Sequence, residues 1–166
     1  MATSNDFVIS RRFDAPRETL FAAFTEPARM QQWWGPKGFS VAKAAMDLRV
    51  GGFYHYALRA PDGSTMWGKM VYREITPPAR IVWENSFSDE AGGVTRHPMA
   101  PTWPLRLLST LTLDADAGGT RLTLTWSPID PDAAERMTFD APASHASMTM
   151  GWTGTLDQLE AYLAKA

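Results

Sequence analysis

A chain of 166 residues with 45% hydrophobic side chains is of one-domain size and can bury a sizeable core. Its formal net charge of −2 and sequence pI near 5.9 give no basic footprint for nucleic acid or an anionic membrane surface. Without cysteine, disulfides, thiolate metal sites and a cysteine nucleophile are excluded.

The opening residues MATSNDFVIS lack the basic-then-apolar pattern of a secretory leader, and no run approaches the ~20 apolar residues of a membrane span. The expectation is one soluble, cytoplasmic domain over residues 1–166. FVISRRF alternates, with Phe7, Ile9 and Phe13 on one side, the period of a half-buried strand. Asp14-Ala15-Pro16 ends it; Pro16 suits a first helical turn and Asp14 the cap before it. Leu20, Phe21 and Phe24 then share a helical face. A second short helix is expected from Pro27 to about Trp33, closing at Gly35-Pro36.

From Phe39 the texture is that of strands. FSVAKAAMDL leads to Gly51-Gly52, and FYHYAL meets Pro61-Asp62-Gly63, a hairpin turn in which glycine supplies the positive φ. TMWGKMVYREI runs to Thr76-Pro77-Pro78, and RIVWENSF follows. Residues 88–104, with Gly92-Gly93, Pro98, Pro101 and Pro104, read as a long loop. LRLLSTLTLDA and TRLTLTWS form a hairpin about Gly118-Gly119, and residues 128–143 read as a loop with one helical turn near Ala133–Met137. The last segment is helical: Met148, Trp152, Leu156, Leu159 and Leu163 make one apolar stripe. Gly151 and Gly154 inside it each cost about 1 kcal/mol relative to alanine, which implies a close approach to the helix backbone there.

The order predicts an α+β fold. Some six to seven strands joined by short turns form an antiparallel sheet, two short helices follow the first strand, and the long C-terminal helix covers the apolar face. Curling the sheet around that helix gives a helix grip with room between the two.

The segments GGFYHYALRAPDGSTMWGKMVYREITPPARIVWEN, GTRLTLTWSP and GWTGTLDQLEAYLA resemble the START-like superfamily (Bet v 1-like, SRPBCC). They are most similar to its branch named for activators of the ATPase of the ninety-kilodalton heat-shock protein. The resemblance spans about residues 7 to 164 and rests on Trp33-Trp34-Gly35, Gly51-Gly52, Asp62-Gly63, Gly68, Glu74-Ile75 and Gly151-Trp152 in order. It implies a helix-grip fold with a hydrophobic cavity between sheet and C-terminal helix. Members bind lipids, steroids or polyketides, sequester antibiotics, catalyse aromatase or cyclase steps, or have no assigned role. The co-chaperone's separate N-terminal domain, which supplies much of the chaperone contact, has no counterpart expected in 166 residues.

Period 2 places Tyr54, Tyr56 and Leu58, then Gly68, Met70 and Tyr72, then Ile81, Trp83 and Phe87 on the inward side. Leu111, Leu113, Leu122, Leu124 and Trp126 join them. His55, Lys69, Arg73, Glu84, Thr112 and Thr123 have the opposite parity and suit the wet convex face. Trp33 and Trp34 point about 100° apart near a helix end, so one is expected in the core and the other at the cavity rim. The residues expected to line the cavity are Trp33, Trp34, Tyr54, Tyr56, Met70, Tyr72, Trp83, Leu111, Leu124, Trp126, Met148 and Trp152.

His55, His97 and His145 fit no metal-ligand spacing and are expected at the surface or, for His145, near the terminal helix's N-cap. Asp47, Glu74, Glu84 and Asp140 form no recognisable acid–base pair, and no nucleophile elbow, phosphate loop or dinucleotide fingerprint is present. No catalytic residue, metal or cofactor is therefore assigned. The leading reading is a carrier of a small hydrophobic molecule, a lipid, steroid or polyketide-like aromatic. One alternative is a cyclase- or hydrolase-type enzyme using Tyr54, Tyr72 or His97; another is a co-chaperone-like interaction module. The 92–104 loop, carrying Met99 and Trp103, is either a lid or a dimer contact, so monomer and homodimer both stay open.

Overall fold

In the computed structural model, which describes residues 5–165, the alternating start forms β1 (Phe7–Phe13). Residues 1–4, part of the stretch read above for a leader, lie outside the described residues. Next come α1 (Arg17–Thr25) and α2 (Pro27–Met30). Pro16 itself is the N-cap of α1, and Asp14 makes no cap: its carboxylate pairs with Arg12 at 2.9 Å. Leu20, Phe21 and Phe24 are buried, so the helical face read from sequence is the one that packs. Helix α2 is shorter than expected. Met30 O accepts from both Trp33 N (3.3 Å) and Trp34 N (3.0 Å), a tightening turn that leads to Gly35 at φ 115°.

The strands are β2 (Ser40–Asp47), β3 (Phe53–Arg59), β4 (Thr65–Thr76), β5 (Arg80–Ser88), β6 (Val94–Thr95), β7 (Leu107–Asp116) and β8 (Gly119–Pro128). With β1 they form one curved, antiparallel eight-stranded sheet in the order β1-β8-β7-β5-β4-β3-β2, with β6 added on β5. The strand beyond the expected six to seven is β6, two residues inside the segment read as loop, held by Phe87↔Thr95 and Ser88↔Val94. Register shifts fall between Val41 and Lys43 and between Tyr72 and Glu74. Such irregularities bend a strand and increase its twist, which helps a sheet curl around a helix.

Between β8 and the last helix the sequence reading gave a loop with one turn; the structure has α3 (Ala133–Asp140). A capping box starts it: Glu135 N donates to Asp132 Oδ1 (2.8 Å) and Asp132 N to Glu135 Oε1 (3.0 Å). Helix α4 (Pro142–Lys165) lays its stripe on the sheet, with Met148, Trp152, Leu156 and Leu159 buried. At Gly154 a Cβ would sit 2.9 Å from Lys37 N, the close approach expected of a tolerated helical glycine. Gly151 departs from that expectation, because a Cβ there would meet no protein atom within 4 Å. His145 is also not at the cap but one turn inside α4, its ring against Phe7 and Phe139.

On the convex face Glu84 is buried rather than wet. Arg73 and Arg106 both pair with its carboxylate and cover it. His55 stacks on Trp67 at 4.8 Å and its Nε2 lies 2.9 Å from Asp89 O, so it ties down a turn. No helix among the described residues is long and apolar enough to cross a membrane.

Candidate ligand cavity

The geometry of the site follows from the double tryptophan. Trp33 turns into the protein: its ring meets Phe24 edge-on at 4.8 Å and its Nε1 donates to Ala23 O at 3.1 Å. Trp34, buried but differently directed, borders a cavity of about 670 Å³ between the concave sheet face and α4. Burying an indole contributes up to ~5 kcal/mol by area, so both rings stabilise the fold, and only one faces open space.

From Trp34 an aromatic belt runs around the cavity. Its ring lies 5.7 Å from Trp152 of α4, which lies 5.7 Å from Trp126 of β8, all edge-on. Trp126 continues to Phe7 at 6.1 Å, and Trp34 also meets Tyr56 of β3 at 5.8 Å. Such edge-to-face pairs contribute about 0.5–1.5 kcal/mol each beyond area burial, which holds the wall rigid around an unfilled volume. The Tyr56 ring rests on the backbone of Gly68, where any Cβ would collide with it. Glycine is required there by that contact, not by its φ.

Of the residues expected to line the cavity, Tyr56, Met70, Trp83 and Trp126 border it from the sheet, Trp34 from the turn after α2, and Met148 and Trp152 from α4. Trp33, Tyr54, Tyr72, Leu111 and Leu124 are buried and do not border it. Leu111 and Leu124 face each other across the β7–β8 register, and α1 packs over those two strands. They meet side chains there rather than open space. Tyr54 stacks on Tyr56 at 5.1 Å. The hydroxyls of Tyr54 and Tyr72 make no hydrogen bond, and burial drives both well above the usual phenol range. Burial pushes the Tyr56 hydroxyl up to about 12, slightly offset by the Trp34 indole N–H, which lies near it but meets no acceptor at hydrogen-bonding geometry. All three phenols are therefore neutral at physiological pH.

The groups named for an enzymatic reading do not converge on the cavity. Tyr54 and Tyr72 lie behind its wall, and His97 packs on Phe87 with its Nδ1 accepting from Met99 N at 3.0 Å. Among the described residues no group of three or more histidine or carboxylate side chains could hold a metal ion. No charged side chain among the described residues borders the cavity.

Sequence reasoning left the 92–104 loop open between lid and dimer contact, misread Gly151 and passed over Asn85. Residues 99–104 border the cavity and close one side of it. The ends of this segment are tied to α3 by one carboxylate, Glu135 Oε2, which accepts from Arg96 Nη1 and from Leu105 N, each at 2.9 Å, and Trp103 packs on Phe139 of α3 at 5.8 Å. Arg96 Nη1 also donates to Trp103 O at 2.9 Å, and Thr138 Oγ1 to Thr102 Oγ1 at 2.8 Å. Gly151 of α4 also borders the cavity, which is why no protein atom approaches it. Asn85 is a polar residue at an inward position of β5 between Trp83 and Phe87. The break in that apolar alternation was the signal that could have found it.

A family model described as "Activator of Hsp90 ATPase homolog 1-like protein" matches residues 14–164. Comparison with curated proteins finds no match. Among solved structures, a protein from Arthrobacter aurescens has a TM-score of 0.80 at 23% identity, over 98% of this chain and 88% of that one. One from Chromobacterium violaceum is 28% identical, TM-score 0.72, over 96% of each chain. The AHSA1 protein of Silicibacter pomeroyi is 22% identical, TM-score 0.69, over 96% of this chain and 97% of that one. These likenesses share the helix-grip architecture.

Proposed function

The chain belongs to the family described by activator of Hsp90 ATPase homolog 1-like proteins, and on that premise we propose that it binds a small, mostly apolar molecule between its sheet and α4. The observation that carries this reading is the space itself: about 670 Å³, walled by Trp34, Trp83, Trp126 and Trp152 and bordered, among the described residues, by no charged side chain. That volume lies within the ~300–1,000 Å³ usual for small-molecule sites. Gly151 supports it. A helix-interior glycine forgoes about 0.5–1 kcal/mol relative to alanine, and here the space a side chain would occupy belongs to the cavity.

Binding to the native state alone raises stability by about 2.7 kcal/mol at a ligand concentration of 100 Kd. For a chain of this size that is roughly 5–10 °C in Tm. The test titrates the protein with 1-hexadecanol, progesterone and 2-ethylanthracene, following Tm and tryptophan fluorescence. At least one is expected to raise Tm, and Gly151→Leu, which fills the cavity from the helix side, is expected to remove the shift. No shift with any of the three, or an undiminished shift in Gly151→Leu, would refute the reading.

A further inference from the structure

Among the strand positions facing the cavity, Asn85 carries a polar amide that apolar packing does not explain. Asn85 stands in the inward register of β5, opposite Met70 on β4 and Leu107 on β7, both buried. Its side chain borders the cavity. On the neighbouring strand Ser109, fully buried, also occupies an inward position, between Leu107 and Leu111. The Ser109 hydroxyl donates to Asn85 Oδ1. An amide whose oxygen is engaged in this way is fixed in rotation, so its Nδ2 can donate to a molecule in the cavity it borders. Asn85 is half-buried at the cavity border, where leucine would pack on Met70 and Leu107 but would offer no donor to a molecule in the space.

We propose that Asn85, held by Ser109, is the specificity-determining residue of the cavity: its amide N–H selects a neutral ligand that carries a hydrogen-bond acceptor, a ketone, ester or ether oxygen, on an apolar frame. This rests on the binding reading above and narrows it. Neutrality follows from the border, because a carboxylate or ammonium ligand would enter an apolar space with no opposite charge to meet it. Planarity is favoured by the walls, since the edge-on rings of Trp34, Trp152 and Trp126 line one continuous side of the space. Ser109 acts through Asn85 and is a positioning residue.

The test compares 2-acetylanthracene with 2-ethylanthracene, near-isosteres that differ by the carbonyl oxygen, in fluorescence titrations of the full chain. Wild type is expected to prefer the acetyl compound by roughly three- to tenfold, the worth of one neutral hydrogen bond. In Asn85→Leu the preference falls to about one while 2-ethylanthracene binds at least as well as before; that pattern distinguishes lost recognition from lost folding. Ser109→Ala frees the amide to rotate, so its preference is expected to lie between the two, and it supplies the answer if Asn85→Leu does not fold. Equal binding of both anthracenes by wild type, or the same preference in wild type and Asn85→Leu, overturns the assignment and leaves the cavity reading standing. If neither anthracene binds, the assignment is overturned as well, and progesterone and 1-hexadecanol then decide the cavity reading separately.

Discussion

On its sheet side the cavity is walled by Tyr56, Met70 and Trp83, each less than a tenth exposed, whereas on the side of residues 99–104 Met99 stands 85% exposed. The sheet wall is held by area and ring contacts spread over many residues. The loop wall is held by hydrogen bonds that converge on Glu135, which caps α3 and also gathers Arg96 and Leu105. Dispersed apolar contacts fail gradually and only with the core. A converging polar anchor fails at one point and locally. The loop wall is thus the side expected to loosen first, with Trp103 against Phe139 as its apolar hold.

Removing the deepest ring should give the largest effect. Trp33→Ala deletes a core indole and its bond to Ala23 O, and a loss of ~3–5 kcal/mol in urea denaturation is expected. A loss below ~1 kcal/mol would mean that the back wall does not depend on the core beneath it. Next is Glu135→Ala, which leaves Leu105 N and Asp132 N without their acceptor and removes the carboxylate from Arg96 Nη1, which keeps Trp103 O; about 2 kcal/mol is expected. Its distinguishing readout is limited proteolysis: first cleavage should fall within 96–105 and leave β3 to β5 intact. Cleavage spread evenly over the chain would erase the contrast between the walls.

A smaller effect of opposite sign is expected from Gly151→Ala, about 0.5–1 kcal/mol more stable by helix propensity, with nothing for the new methyl to strike. If the cavity is used, that methyl should also weaken ligand binding, and a variant that gains stability with unchanged affinity would place the ligand elsewhere.

Acid gives the most local effect. The Glu135 carboxyl is held below its usual 4.5, chiefly by the Asp132 backbone N–H, with Arg96 and Leu105 N adding to it against a desolvation that acts the other way. A depressed carboxylate contributes stability above its unfolded value, and that contribution is lost as pH falls through the folded value. NMR signals of residues 96–105 should therefore change below about pH 4.5 while those of β3 to β5 stay native. Glu135→Gln should remove this acid step, and its persistence in that variant would shift the cause to another carboxylate.

These contrasts also mark what could be seen in the chain before its fold. The alternation in β1, β3, β7 and β8 and the stripe from Met148 to Leu163 identified strands, sheet type and covering helix, because side-chain period is a local property. The register of β6 and the full length of α3 were missed. A two-residue strand has no period, and the Asp132–Glu135 capping box lay in a stretch dominated by Pro128, Pro131 and Pro142. Glu84 was misread for a related reason: parity gives the face, not what covers it, and Arg73 arrives from β4 and Arg106 from the segment just before β7.

The sequence by itself determined the order of the elements other than β6 and α3, the concave aromatic face and the absence of a recognisable catalytic or metal motif, all of which depend on residue type and near-neighbour spacing. Tertiary structure alone decided that Trp34 and not Trp33 meets the open space, that Leu111 and Leu124 are covered while Asn85 is not, and that residues 99–104 close one side. Hydrophobic periodicity reports that a side chain leaves water. Whether its far side then touches another side chain or a void depends on distances between elements remote in the chain.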